Sequence, residues 1–270
     1  MLKKAQAEHY GVGLFNTTDT DMAEAVISAA EEMNSPVIIG TAEVLLPYGE
    51  LKLIAPSIRA LAERAKVPVV LHYDHGLTFD RCIEALKLGF SSIMFDGSAG
   101  DSKQNIADTA EIVKIAHSFG ASVEGEIGHV GQASSGDGEL TNMYTTPEEA
   151  RAFVEATGVD ALAVAIGTAH GQYKTTPKLD INRLKEIYDI AKKPLVLHGG
   201  SGLSDKDFKD TSANGIRKVY ICTEMCLAAH KAYAESLGKV SFEPTLDLAK
   251  KAVEDVVKQK MQLFGSSNKA

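Results

Sequence analysis

Eight short apolar runs punctuate this chain, each followed by a stretch with the spacing of an amphipathic helix. The strand candidates are Val12–Phe15, Val37–Ile39, Val69–His72, Ser92–Phe95, Ser122–Ile127, Ala161–Ile166, Leu195–His198 and Lys218–Cys222. Most are continuous in apolar character rather than alternating, which is how strands covered on both faces read. Between them lie helical segments at 20–33, 51–66, 79–88, 107–119, 147–157, 181–191 and 205–213; two more follow at 224–234 and 246–263. Strand alternating with helix eight times predicts an α/β fold, a closed (β/α)8 barrel of the TIM type. The length of 270 residues suits one such domain over 1–270, with C-terminal helices, and there is no composition break or internal repeat. A doubly wound open sheet is the competing architecture, but "GVGLFNTT" lacks the Gly-rich first turn that it normally uses. Local signals agree with the barrel. Pro68 and Pro194 precede strands, Thr146-Pro147-Glu148-Glu149 reads as a capped helix start, and Gly89, Gly120 and Gly158 sit where helices end.

The chemically able residues collect where the strands stop. Asn16 follows the first strand, Thr41–Glu43 the second, Asp74-His75 the third and Asp96-Gly97-Ser98 the fourth; Glu124 and Glu126 close the fifth. "GTAHG" (167–171), "HGGSG" (198–202) and Thr223-Glu224 follow the last three. In a barrel these points converge on the C-terminal face, where such folds carry their sites. Three ends bring a histidine: His75, His170 and His198. Three imidazoles with an open fourth position suit a catalytic zinc ion. His9, His117 and His230 fall in helix-like surroundings, and His72 and His129 stay unassigned. Asp74 adjoins His75, and adjacent strand residues point to opposite faces, so both reach one site only if the backbone is already turning there. Asp74 is then a general acid/base or a partner to a metal ligand; otherwise it caps the helix starting near Thr78. The bare backbone and hydroxyl of "HGGSG", placed before a helix, suit a phosphate, and Lys174 is a candidate charge for the same anion. The long Gly/Ser/Asp-rich segment between Gly128 and Thr145 is expected to be a mobile lid.

Composition excludes several classes. A net charge of −8 and a pI near 5.5 argue against a nucleic-acid partner. No apolar run is long enough for a membrane span, and the N-terminus lacks the apolar core of a signal peptide. Cys82, Cys222 and Cys226 form no CxxC pair, which fits reduced thiols in the cytoplasm.

"VPVVLHYDHG", "GFSSIMFDGS", "SVEGEIG", "TGVDALAVAIGTAHGQY", "PLVLHGGSG" and the terminal "FGSSNKA" resemble the class II, zinc-dependent fructose- and tagatose-bisphosphate aldolases. The resemblance runs from about Gly13 to the C-terminus. It implies a TIM barrel that is a homodimer or homotetramer and acts on a phosphorylated ketose. It further implies that His75, His170 and His198 bind Zn2+ and that Asp74 moves the proton on the oxygen of the cleaved C3–C4 bond. Asp96 and Glu126 would form a second divalent position. Gly171, Lys174, Gly199, Ser201 and Thr223 match the region for phosphate and a monovalent cation, Na+ or K+, and Asn16 joins the substrate-binding set. Three departures touch the dihydroxyacetone-phosphate half of the site. Tyr220 in "YICT" stands where the family has an Asn that contacts the enediolate; Ala42 stands where it has a Ser. The loop reads "GQASSGDG", without the Glu that moves the carbon-bound proton, and only Asp137 or Glu139 is near enough in sequence to substitute. These changes predict metal binding with weakened cleavage of fructose 1,6-bisphosphate. "TEMC" (223–226) also resembles, faintly, the aldolase branch of inositol breakdown. An epimerase or an impaired sugar-phosphate binder therefore stays open. A zinc hydrolase on the same barrel is disfavoured because "FNTT" offers no HxH after the first strand.

Overall fold

The computed structural model describes residues 1–128, 130–133 and 144–270. Eight parallel strands close into a barrel: β1 (Val12–Asn16), β2 (Val37–Ala42), β3 (Val69–Gly76), β4 (Ser92–Phe95), β5 (Ser122–Ile127), β7 (Ala161–Val164), β9 (Leu195–Leu197) and β10 (Ile216–Ile221). Their order around the barrel is β1-β10-β9-β7-β5-β4-β3-β2. Among the described residues the strands number ten, because β6 (Gly131–Gln132) and β8 (Ala169–His170) pair separately as a short parallel ribbon.

Helices α2 (Thr20–Glu32), α3 (Leu51–Arg64), α4 (Phe79–Lys87), α5 (Ser102–Ser118), α6 (Pro147–Thr157), α7 (Ile181–Ala191), α8 (Asp205–Ala213) and α9 (Thr223–Ser236) link the strands, and α10 (Phe242–Phe264) packs on α2 and α9. Their starts are fixed by side chains that satisfy orphan amides. Asp19, Thr78, Asp101 and Asp180 each accept from a first-turn N–H, and Thr146 and Ser204 form reciprocal capping boxes with Glu149 and Asp207. Gly158 ends α6 at φ +75°, the left-handed conformation that a Cβ disfavours.

Two apolar layers hold the barrel. The larger lies between strands and helices, with Phe15, Ile39, Ile93, Phe153, Leu197 and Phe208 all buried. The smaller fills the barrel interior. There α1 (Leu2–Ala7) brings Ala5, Met1 and Leu2 against Val12, Leu14, Ile38 and Val196 and plugs the N-terminal mouth. Sealing that end leaves the C-terminal face as the open one.

The observed bounds differ from the sequence reading in instructive places. Helix α5 begins at Ser102 rather than Ala107, because Asp101 caps a first turn that carries no apolar periodicity. Strand β10 begins at Ile216, two residues early, since Arg217 and Lys218 are buried although charged. The short elements α1, β6, β8 and a 3-10 turn at Glu43–Leu45 give no periodic signal. His129 and residues 134–143, including Asp137, Glu139 and most of the expected lid, lie outside the described residues. Among the described residues no helix is long and apolar enough to cross a membrane.

Candidate active site

One pocket opens on the C-terminal face, and its wall takes a contribution from most strand ends. It is lined by Asn16 after β1, Asp74 and His75 of β3, Asp96 after β4, Glu126 of β5 and His170 of β8. Gly171, Gly199, Gly200, Ser201, Tyr220, Cys222 and Thr223 line it as well.

The neighbours Asp74 and His75 both face this pocket because the strand twists out of regular geometry between them. His75 has φ +46°, and the β3–β4 register shifts between Tyr73 and Gly76. A non-glycine residue held in the left-handed region stores local strain and must be held there by its surroundings. Here the holding contact is His75 Nδ1 to Asp96 Oδ2, at 2.7 Å. Asp74 does not cap α4, since Thr78 does so with its own hydroxyl. Instead Asp74 Oδ2 accepts from Asn16 Nδ2 at 2.8 Å, and Asp74 Oδ1 is buried without a partner.

The three histidines come together. Ring centroids lie 4.6 Å apart for His75–His198, 5.0 Å for His75–His170 and 5.7 Å for His170–His198. Each offers a nitrogen within 4.8 Å of the others. His198 is held from behind: its Nε2 lies 2.8 Å from Glu124 Oε1, while its buried Nδ1 has no partner. The Nε2 of His75 is likewise buried and unpartnered. A buried imidazole nitrogen without a hydrogen bond is costly unless something else accepts its lone pair. Two such nitrogens in a three-imidazole cluster, each ring oriented by a carboxylate on its far side, fit a divalent cation of borderline softness. His75, Asp96 and Glu126 form a second group of the same compactness, and Ser98 Oγ bridges its two carboxylates at 2.6 and 3.2 Å.

The electrostatics follow from crowding. Burial lowers the basicity of His75, but Asp74, the hydrogen bond to Asp96 and the charge of Glu126 outweigh it and push the imidazole up to about 10. For Asp96 burial is again opposed, and the hydrogen bond and charge of His75 hold it well below the usual carboxylate range. Glu126, buried and beside Asp96, is pushed well above it. His198 is pushed well below the ordinary histidine value by burial and by His75, so its ring stays neutral.

The phosphate candidates line one arc. Gly199 has φ +66°, and a Cβ there would sit 2.4 Å from the Ala169 carbonyl oxygen, so no other residue fits this turn. Ser201 Oγ accepts from the amides of Cys222 and Glu224 at the N-terminus of α9, at 3.3 and 3.4 Å. Thr223 is the first residue of that helix and lines the pocket. Lys174 is exposed and stands outside the pocket lining.

Beneath the site lies a polar layer that sequence reasoning did not assemble. Lys218 Nζ donates to Glu124 Oε2 at 2.7 Å, and Tyr220 Oη lies 2.9 Å from His72 Nε2 and 3.2 Å from Glu124 Oε1. The Tyr220 ring stacks on His198 at 3.8 Å between centroids. Tyr173 is a second omission: its hydroxyl accepts from Ala169 N and donates to Gly199 O, both at 2.8 Å, tying the His170 strand to the glycine turn. Each is a single polar residue in an apolar or loop context, with no spacing to mark it.

Comparison with known proteins places this geometry in context. The family model described as Fructose-bisphosphate aldolase class-II matches residues 1–269. A fructose-bisphosphate aldolase of Thermus caldophilus is 40% identical, aligned over 100% of this chain and 98% of the relative. A probable fructose-bisphosphate aldolase of Bacillus subtilis (strain 168) is 39% identical over 100% and 97%. The crystal structure of the YdjI aldolase from Escherichia coli K12 matches with a TM-score of 0.92 and 38% identity, over 100% of this chain and 97% of that one.

Proposed function

The chain belongs to the class II fructose-bisphosphate aldolase family, and on that premise we propose that a single zinc ion held by His75, His170 and His198 serves the aldol cleavage of a phosphorylated ketose at this pocket. The observation that carries the reading is the trio of imidazoles with two buried, unpartnered nitrogens. When bound, a divalent cation supplies Lewis acidity toward the ketose oxygens and so stabilises the enediolate. The side chains do the rest. Asp74, with Oδ2 tied to Asn16 and Oδ1 free of any hydrogen bond in the pocket wall, takes the proton from the C4 hydroxyl as C4 becomes a carbonyl, and returns it in the condensation direction. Glu124 holds the tautomer and plane of His198, and Asp96 does the same for His75. The turn at Gly199–Ser201 and the start of α9 at Thr223 receive the substrate phosphate through backbone and hydroxyl groups, with Gly171 in the same lining and Lys174, exposed outside it, as a further candidate charge. Asp96 and Glu126 offer a second divalent position, and the glycine turn a place for Na+ or K+.

The names of the relatives favour aldol cleavage over epimerisation or a binder without catalysis. We further read the protein as a cytoplasmic homodimer or homotetramer whose whole length, 1–270, forms one domain. The test is a coupled cleavage assay on ketose phosphates before and after chelation. Activity lost to chelator and restored by zinc is expected. Cleavage that survives complete metal removal, with metal content verified by elemental analysis, would overturn the reading.

A further inference from the structure

The pocket has two chemically different sides, and the barrel order sets them opposite each other. The ends of β9 and β10 are neighbours, and the β3 and β4 ends lie across the mouth from them. On the first side stand Gly199, Ser201 and Thr223, the groups read above as the phosphate end. On the far side, after β2, β3, β4 and β5, the lining includes the apolar residues Ala42, Val44, Leu45, Leu77, Ala99 and Val130, beside Ser98 and the carboxyls Asp96 and Glu126. Val44 and Leu77 are 67% and 54% exposed, so apolar surface forms this rim. The histidines and Asp74 lie between the two sides. A ketose chain with its phosphate on the first side and its C2–C4 atoms at the centre therefore sends its remaining carbons against the apolar side.

A terminal phosphate on those carbons would need a cation. Among the described residues, those lining the pocket include no lysine or arginine. The segment 134–143, outside the described residues, contains neither. The charged lining residues other than histidine are the carboxyls Asp74, Asp96 and Glu126. A phosphate dianion there would lose water, gain no charge-assisted partner and face negative charge. Apolar walls instead suit carbon and neutral hydroxyl groups.

Resting on the aldolase reading above, we propose that the aldehyde half of the substrate is uncharged, so that the preferred substrate is a ketose 1-phosphate rather than the bisphosphate in the names of the relatives. In the cleavage the C3–C4 bond breaks and its electron pair stays on C3. The C4 hydroxyl loses its proton to Asp74 and becomes a neutral aldehyde. C3 then takes up a proton, so that dihydroxyacetone phosphate and the aldehyde are the only products and no further reactant is consumed.

The experiment compares kcat/KM of the zinc-loaded full-length enzyme for fructose 1-phosphate and fructose 1,6-bisphosphate. In the reverse direction it compares addition of dihydroxyacetone phosphate to glyceraldehyde and to glyceraldehyde 3-phosphate. The uncharged partner is expected to win by about tenfold or more in both directions. Val44→Arg and Leu77→Arg, each at an exposed rim position, are expected to shift the bisphosphate-to-monophosphate ratio upward by about tenfold by supplying the missing cation. Equal or reversed preference in the unaltered enzyme, with cleavage still sensitive to chelator, overturns this inference and leaves the aldolase reading standing. Failure to cleave either compound with zinc bound overturns both.

Discussion

Removing the Lys218 charge tests whether the polar layer inside the barrel stabilises the fold and the site together. Lys218 and Glu124 are both buried and meet at 2.7 Å through Oε2, while Oε1 of the same carboxylate holds His198. Lys218→Met leaves the Glu124 carboxylate in the interior without its cation. Breaking a buried pair from one side costs about 3–5 kcal/mol, because the remaining charge has lost its solvent and gained no partner. At a slope of about 3 kcal/mol/M this lowers the urea midpoint by about 1–2 M. The double variant Lys218→Met/Glu124→Leu removes both charges and recovers about half of the loss or more. That recovery comes at the expense of the site, because His198 Nε2 now lacks its acceptor. Metal affinity in a competition titration is expected to fall about 10- to 100-fold, the usual effect of losing such an orienting group. Urea unfolding of the metal-free variants, followed by circular dichroism, reads the first effect and a chromophoric chelator the second. A double variant as unstable as Lys218→Met refutes the argument from an unpaired charge. A double variant with unaltered metal affinity refutes the role given to Glu124.

Two further outcomes follow from single side chains. Asp74→Asn keeps the shape of the wall and the neighbourhood of Asn16 but removes the proton acceptor; kcat is expected to fall about 10²- to 10⁴-fold with metal affinity held within about threefold, and a kcat within about twofold of wild type refutes the assignment. Cys226 is exposed, and the hydrogen bond from the Cys222 thiol lowers its pKa to about 7. Since the thiolate is the nucleophile, alkylation by iodoacetamide should be slow below pH 7, rise through it and level off above. In Cys222→Ala the midpoint should move up toward about 8.5, and an unmoved midpoint would show that the neighbouring thiol is not the cause.

The barrel was legible because its strands are nearly uniform in apolar character and several of its helices carry caps and glycine stops, so two independent signals agree on the alternation even where a boundary, such as the starts of α5 and β10, was missed. The convergence of Asn16, Asp74, His75, Asp96, Glu126, His170 and His198 followed from topology alone, since strand ends meet once the sheet closes. What failed to show was polarity that points inward. His72, Glu124 and Lys218 interrupt strands that otherwise read as apolar, and nothing local says whether such a residue faces the interior or the helices. Their meaning lies in contacts between residues 94 and 146 positions apart, Lys218 with Glu124 and Lys218 with His72. The same limit hid Tyr173, whose two partners lie on separate strand ends.

Tyr220 joins these layers. Read as a sequence departure, it occupies a place where a small amide would meet the substrate, and it suggests only obstruction. In the structure it is 5% exposed, its ring lies flat on His198 and its hydroxyl reaches His72 and Glu124. The burial that raises its own pKa keeps the phenol neutral, so it serves as a donor and a wall rather than a base. Glu124 Oε1 is thus shared between the phenol and the imidazole, and the ring stack fixes the plane in which the imidazole presents its other nitrogen. A residue that takes a hydrogen bond away from the substrate therefore returns rigidity to the candidate ligand behind it. That exchange leaves the imidazole plane fixed although a phenol, in place of an amide, lines the pocket beside it.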